Sequence, residues 1–419
     1  MRGNVRSKNT IRNKNKTVKC DDTCGGTRRR CEIRLAVAAM RFPILLAVFS
    51  LTAVSFAASR TEAAGLAGIA PRMQELVDRN VIAGSVTLVV QHGKVVHLAA
   101  VGSADIAARR AMRTGDLFWI ASMTKPLTAV CVMMLAEEGR LRIDDPVSRF
   151  IPEFGDMRLR GGRPPRPVTI CDLLTHTGGL GEAQVGARAS LAERVAAYAH
   201  APMRSAPGSR FDYSNSGFNT LGRVIEVVSG KPYASFLRQR LLSPLGMSDT
   251  TFWPSQRRVV KGYRPGAGGL AETSIYANPA DMSDTSRPAL PAGGLFSTAA
   301  DVSRFYKMIL GGGSLGSRKI LGRETVRRML TIQTGGMRTG TIDGMSWGLG
   351  FQIVRSPQGM TAGLSAGSFG HGGSYATQSW ADPRRDAVYV LMIQRGGYRD
   401  SDFTEPRKVF QDSAAAALR

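Results

Sequence analysis

Cysteine is scarce where it would matter. Five occur in the 419-residue chain, and Cys20, Cys24 and Cys31 sit near its start at spacings that match neither a CxxC pair nor a zinc pattern. Beyond residue 57 only Cys131 and Cys171 remain, each in an apolar segment where a cysteine serves as a small hydrophobe. A chain of this length builds a large core and needs no disulfide framework. Lysine is also rare, with seven residues beyond position 57. No apolar run reaches the ~18 residues that a membrane span needs, which excludes a multi-span membrane protein. No fixed-period repeat is present, so solenoid architectures are out. No helix-turn-helix, zinc or aromatic-basic pattern accompanies the positive charge, and nucleic acid is not an expected partner.

What is present is an ordinary globular balance, 43% hydrophobic and 21% charged, with a formal charge of +24. The charge is uneven: residues 1–39 hold 11 basic and 3 acidic residues, a third of the surplus. That opening stretch, which includes Arg28-Arg29-Arg30, shows no apolar periodicity and reads as a basic tail. Met40 begins a different pattern. Arg41 is followed by the short apolar run Phe42 to Phe49 and then by small residues through Ser55-Phe56-Ala57. This is the order of a signal peptide, with cleavage expected after Ala57 or Ala58; the alternative is an uncleaved anchor. The sequence thus predicts translation from Met40, residues 1–57 as basic extension plus signal peptide, an exported (periplasmic or secreted) product, and a folded unit over 58–419.

Periodicity organises that unit. Residues 64–80 read as an amphipathic helix and Ser85 to Val101 as a hairpin turning at Gln91-His92-Gly93-Lys94. His92 and His97 lie an odd number apart on extended backbone and make poor joint metal ligands. Leu127, Val130, Cys131, Met134 and Leu135 mark a buried helix closed by Gly139. From about 140 to 290 helical segments alternate with Pro- and Gly-rich loops, including a helix with Phe218, Leu221, Ile225 and Val228 on one face. A Thr298-x-x-Asp301 capping box opens another helix. Strand patterns return at Gly350–Val354, Ala376–Ala381 and Ala387–Gln394, and 403–418 reads as helical. The expected fold is α/β of the α+β type: an antiparallel sheet from N- and C-terminal strands, flanked by helices, with an inserted helical lobe. The α/β lobe takes about 64–139 and 290–419, and the helical lobe about 140–289. A lone N-terminal hairpin is barely stable, so the two ends must meet in one sheet, and the cleft between lobes is the natural site.

Three elements carry chemistry. In Ser122-Met123-Thr124-Lys125, a spacing of three puts a hydroxyl and an amine on one helical face. Serine is a weak nucleophile without an adjacent base, and a desolvated lysine can be that base. The motif is short and its alternative is a surface helix start, but a lysine heading a nearly all-apolar helix is an unusual choice for a solvated face. In Tyr213-Ser214-Asn215, a phenol near a lysine can be held ionised or shuttle a proton, and the amide can hold the lysine and a substrate carbonyl. Its alternative is a helix cap, and a competing copy begins at Tyr276; the first is preferred because it opens a helix. In His371-Gly372-Gly373-Ser374, glycines allow close backbone approach by substrate and the Ser374 N–H is a second oxyanion donor beside that of Ser122. The rival His176-Thr177-Gly178-Gly179 ends a helix and reads as structural.

The ordered set S-x-x-K, Y-x-N and H-G-G resembles the serine β-lactamase and penicillin-binding-protein-like family, in the branch of class C β-lactamases, D-alanyl-D-alanine carboxypeptidases and related esterases. Flanking text adds to it: Asp145-Pro146-Val147, Leu173-Leu174-Thr175-His176-Thr177-Gly178-Gly179-Leu180, Ser243-Pro244-Leu245-Gly246-Met247, Ala292-Gly293-Gly294-Leu295-Phe296-Ser297-Thr298 and Trp347-Gly348-Leu349-Gly350-Phe351. The resemblance spans about 65–397 and favours Tyr213 over Tyr276 by its distance from Ser122. It implies a β-lactamase/transpeptidase-like fold and a serine hydrolase that works through an acyl-enzyme without metal or cofactor. Ser122 is then the nucleophile, Lys125 its base partner and Tyr213 the group that protonates the leaving group or activates water. The Ser122 and Ser374 amides form the oxyanion hole, and Asn215 positions substrate. His371 departs from the lysine that many members place first in the third motif. It lacks a fixed charge at pH 7, which leans the expectation from carboxylate-dependent substrates toward esters or amides, unless nearby arginines compensate. Expected partners are a small molecule or cell-wall peptide, with peripheral association to an anionic envelope. The second reading is a non-catalytic penicillin- or peptide-binding sensor of the same fold.

Overall fold

The computed structural model describes residues 65–276 and 282–418. The expected signal peptide, the basic tail and Cys20, Cys24 and Cys31 lie outside the described residues. No helix among those described is long and apolar enough to cross a membrane.

The centre is an eight-stranded antiparallel sheet. β1 (Gly84–Gln91), β2 (Lys94–Asp105) and β3 (Arg110–Ala111) come from the N-terminal side, and β4 (Met345–Trp347), β5 (Gln352–Val354), β6 (Phe369–Gly372), β7 (Gln378–Asp382) and β8 (Ala387–Met392) from the C-terminal side. The spatial order is β4-β5-β6-β7-β8-β1-β2-β3, so the two ends of the chain meet at β1 and β8, in register Val86 to Met392 through Gln91 to Ala387. Alternation along these strands sorts side chains onto two faces. Val86, Leu88, Val90, Val388, Val390 and Met392 join the core that contains Val302, Phe305 and Ile309 of α4 (Ala299–Leu310). Val89, Tyr389 and Leu391 join the other, with Ile69, Met73 and Leu76 of α1 (Ile69–Asp78) and Phe410 and Ala414 of α5 (Glu405–Ala417). Each fully buried Leu or Phe in these layers contributes about 1.5–3 kcal/mol of burial.

Beyond α4 lies α2 (Thr124–Glu137), buried from Thr124 to Leu135, and against it α3 (Asn215–Ser229), whose inner face holds Phe218, Leu221 and Ile225. The two helices share one core, and their N-termini deliver Ser122-x-x-Lys125 and Tyr213-x-Asn215.

Three local expectations need correction. His371 and Gly372, expected just before a strand at Ala376, instead end β6, which hairpins into β7 starting at Gln378. Glycines depress strand propensity, and the pairing of β6 with β5 and β7 overrides it. The region between 140 and 290 is not wholly helical, because Gly262–Gly266 and Gly269–Thr273 form a β-hairpin whose Pro and Gly residues mask strand character. The Thr298 box is half formed: Thr298 Oγ1 accepts from Asp301 N, while the Asp301 carboxylate turns to Asp249 N and Thr250 Oγ1.

Candidate active site

Ser122 stands in a single 3₁₀ turn, Ala121–Met123, that runs straight into α2. Ala121 has φ of 45°, an unfavourable value for a residue with a Cβ, and the turn is held by Thr124 Oγ1 donating to Ala121 O at 2.7 Å. One helical turn on, Lys125 is fully buried, and its Nζ lies 3.1 Å from Ser122 Oγ, 2.8 Å from Asn215 Oδ1 and 2.7 Å from Ala292 O. An ammonium satisfies all three with its three protons. A neutral amine has two, which the acceptor-only Asn215 Oδ1 and Ala292 O both require, so its lone pair faces the serine hydroxyl. Burial pulls the Lys125 pKa down to about 7, with the Glu182 carboxylate opposing that shift.

Tyr213 completes the group. Lys125 Nζ sits 4.7 Å from its ring centroid. The residue as a whole is 38% exposed. Burial around its hydroxyl nevertheless raises the pKa, with Ser122 offsetting part of the rise. Of the two states open to this phenol from sequence, the protonated one is favoured.

His371 is buried, its Nδ1 within 2.7 Å of Gly372 O, which fixes the proton on Nδ1. Burial, then the charge of Lys125, lowers its pKa to about 3, so the imidazole is neutral at any working pH. Its ring lies 6.2 Å from that of Tyr213. A Cβ on Gly372 would meet the Arg407 guanidinium, at 2.5 Å, and one on Gly373 would meet Thr377 Oγ1 at 2.1 Å and Ile120 O at 2.7 Å. These glycines are required by close packing inside the protein. Ser374 borders a cavity of ≈ 470 Å³ together with Ser122, Asn215 and Trp119.

Two supporting residues escaped the sequence. His176, read there as a helix stop, holds Tyr213 from both sides: its carbonyl accepts from Asp212 N at 2.7 Å and its Nδ1 from Ser214 N at 2.9 Å. Its ring stacks on the Tyr213 ring at 4.4 Å. The available signal was a histidine, not a glycine, placed with φ of 57° before Thr177-Gly178. Arg407, 1% exposed on α5, donates to Ala376 O, Gly373 O and Thr377 O and so pins the bend that carries Ser374. Nothing in its periodicity distinguishes it from a solvated helix residue. The rival Tyr276 also reaches the cavity, as a wall residue whose ring meets Trp119 edge-on at 5.5 Å.

His176→Ala is expected to lower kcat about tenfold to a hundredfold with little change in KM, because Tyr213 loses its anchor. His176→Asn, which keeps an acceptor for Ser214 N, should recover part of the loss; equal kcat in both variants and wild type would remove this role.

The chain matches the model of the family described as Beta-lactamase over residues 69–413. It is 30% identical to esterase EstB of Burkholderia gladioli over 380 residues, covering 79% of this chain and 92% of that protein. It is 28% identical over 280 residues to the D-alanyl-D-alanine-carboxypeptidase/endopeptidase AmpH of Escherichia coli K12, covering 64% of this chain and 68% of that one. Among solved structures, EstCE1, a hydrolase with promiscuous acyltransferase activity, superposes with a TM-score of 0.72 at 23% identity, over 85% of this chain and 99% of the other. With a match over most of its length and a sheet and helical layers of the same fold, the chain belongs to the Beta-lactamase family.

Proposed function

We propose that this protein is an exported serine hydrolase that cleaves carboxylic esters through an acyl-enzyme on Ser122. The observation that carries the reading is the fully buried Lys125 amine, 3.1 Å from Ser122 Oγ and brought to a pKa of about 7. In acylation the Ser122 proton passes to neutral Lys125 as Oγ bonds to the substrate carbonyl carbon. The amides of Ser122 and Ser374 receive the developing oxyanion. The tetrahedral intermediate breaks its bond to the leaving oxygen, which takes the phenolic proton of Tyr213; Lys125 returns its proton to Tyr213. Water then attacks the acyl carbon and gives its proton to the same pair; the second tetrahedral intermediate breaks its bond to Ser122 Oγ, which takes that proton, and the acid leaves. A neutral His371 where many relatives keep a lysine, and the likeness to an esterase, support ester over β-lactam as substrate.

The test is covalent. Purified protein treated with a fluorophosphonate should gain one adduct, mapped to Ser122 by mass spectrometry, and should hydrolyse p-nitrophenyl butyrate faster than a chromogenic cephalosporin. A chain that turns over neither and takes no adduct is a binder, and the hydrolase reading ends.

Lysine charged below its pKa cannot accept the serine proton. We therefore expect kcat/KM to fall about tenfold per pH unit below about 7 and to level off above it, with no alkaline loss where a free phenol would ionise. A flat profile from pH 5 to 8 would exclude Lys125 as the base.

A further inference from the structure

The cavity beside Ser122 is lined mostly by apolar groups, including Trp119, Val185 and Leu290, yet two arginines enter it. Arg287 is 3% exposed. Its Nη2 donates to Phe252 O and Met282 O, its Cζ lies 5.1 Å from the Tyr276 ring centroid, and its Nε–H is buried without an acceptor. Arg194 donates to Gly186 O, Ala187 O and Ala189 O. Neither forms an ion pair with a carboxylate among the described residues, although carboxylates stand nearby. Asp284 is taken by Arg188 at 2.9 Å and Glu182 by Arg204 at 3.6 Å. The charges of both cavity arginines bear on the phenol of Tyr276. A buried guanidinium without a counter-charge is costly, and neutral carbonyls compensate it only in part.

The cavity has a direction. It is bordered by Ser122, Asn215 and Ser374 and not by Tyr213, the proposed proton donor to the leaving group. The acyl part of a substrate therefore points into it. We infer that Arg194 and Arg287 form a recognition site for a carboxylate on the acyl chain, so that the preferred substrates are half-esters of dicarboxylic acids. This rests on the reading of Ser122 as the acylated residue. The counter-charge that the described residues do not supply arrives with the substrate, and it is placed by the arginines instead of by the third-motif position, where His371 is uncharged. The aromatic and aliphatic walls suit the methylene chain between the two carbonyl groups, and forked donors suit a carboxylate end.

The test compares the p-nitrophenyl half-ester of adipic acid with its methyl ester, which has nearly the same shape and no charge. In wild type, kcat/KM for the anion should exceed that for the methyl ester by about tenfold or more, the worth of one charge-assisted hydrogen bond. Arg194→Gln and Arg287→Gln should each lower that ratio, and together bring it to about one. The ratio is insensitive to loss of folded enzyme, which slows both substrates equally. A wild-type ratio of one or less, or a ratio untouched by both variants, overturns the inference while leaving the hydrolase reading intact. If neither ester turns over, calorimetric binding of monomethyl adipate to Ser122→Ala decides the matter: arginine-dependent binding supports the site and its absence removes it.

Discussion

Ser122→Ala, Lys125→Met and the double variant are expected to lose ester hydrolysis to the same extent, about 10⁴-fold or more in kcat/KM. Equality is the informative part. If the lysine lone pair faces the serine hydroxyl because its two protons are committed to Asn215 Oδ1 and Ala292 O, the two side chains are one device, and removing either removes all of it. An independent contribution from each would instead make the double variant the product of the singles. Methionine is chosen because it fills the volume of a fully buried side chain; alanine would leave a cavity worth about 2–5 kcal/mol in addition to the chemical loss. Folding is checked by near-ultraviolet circular dichroism. A Lys125→Met enzyme within tenfold of wild type would mean that another group deprotonates Ser122.

The next largest effect is expected for Tyr213→Phe. The substitution keeps the ring against His176 and Lys125 and deletes only the hydroxyl, so it isolates proton delivery to the leaving group. A loss of about 10²–10³-fold is expected for an alkyl ester, whose alkoxide needs protonation. It should shrink toward about tenfold for a p-nitrophenyl ester, whose phenolate leaves without help. The raised pKa of this phenol is what makes the contrast meaningful, since a group protonated throughout the working range can donate but has no standing negative charge to offer. Equal losses for both esters would move Tyr213 from proton transfer to substrate positioning.

The sequence carried this arrangement unevenly. The hairpin Gly84–Asp105 and the buried helix α2 were legible because periods of two and 3.6 residues are local signals. So was the convergence of the chain ends, since an N-terminal hairpin needs more strands to be stable. Ser122 and Lys125 were legible because a lysine among apolar residues contradicts solvation. The strand character of Phe369–Gly372 was hidden by Gly370 and Gly372, which serve contacts to Trp380 and Arg407 that no local pattern reveals. His176 looked like punctuation at a helix end, because the feature that distinguishes it, bonds to the residues on either side of Tyr213, lies 36 to 38 positions away. Arg194, Arg287 and Arg407 were three among many arginines. Their difference is the absence or presence of particular partners in space, and charge composition does not encode that.

The pinning of the Gly373–Thr377 bend by Arg407 has a consequence for assembly of the site. The guanidinium that holds the bend of Ser374, the second proposed oxyanion donor, comes from α5, far in sequence from Ser122. Before α5 has packed, the serine, its amine and the phenol lack that held bend, and before β8 pairs, β1 lacks its neighbour in the sheet. The proposed hydrolysis is accordingly expected only from a chain whose early and late segments have already come together.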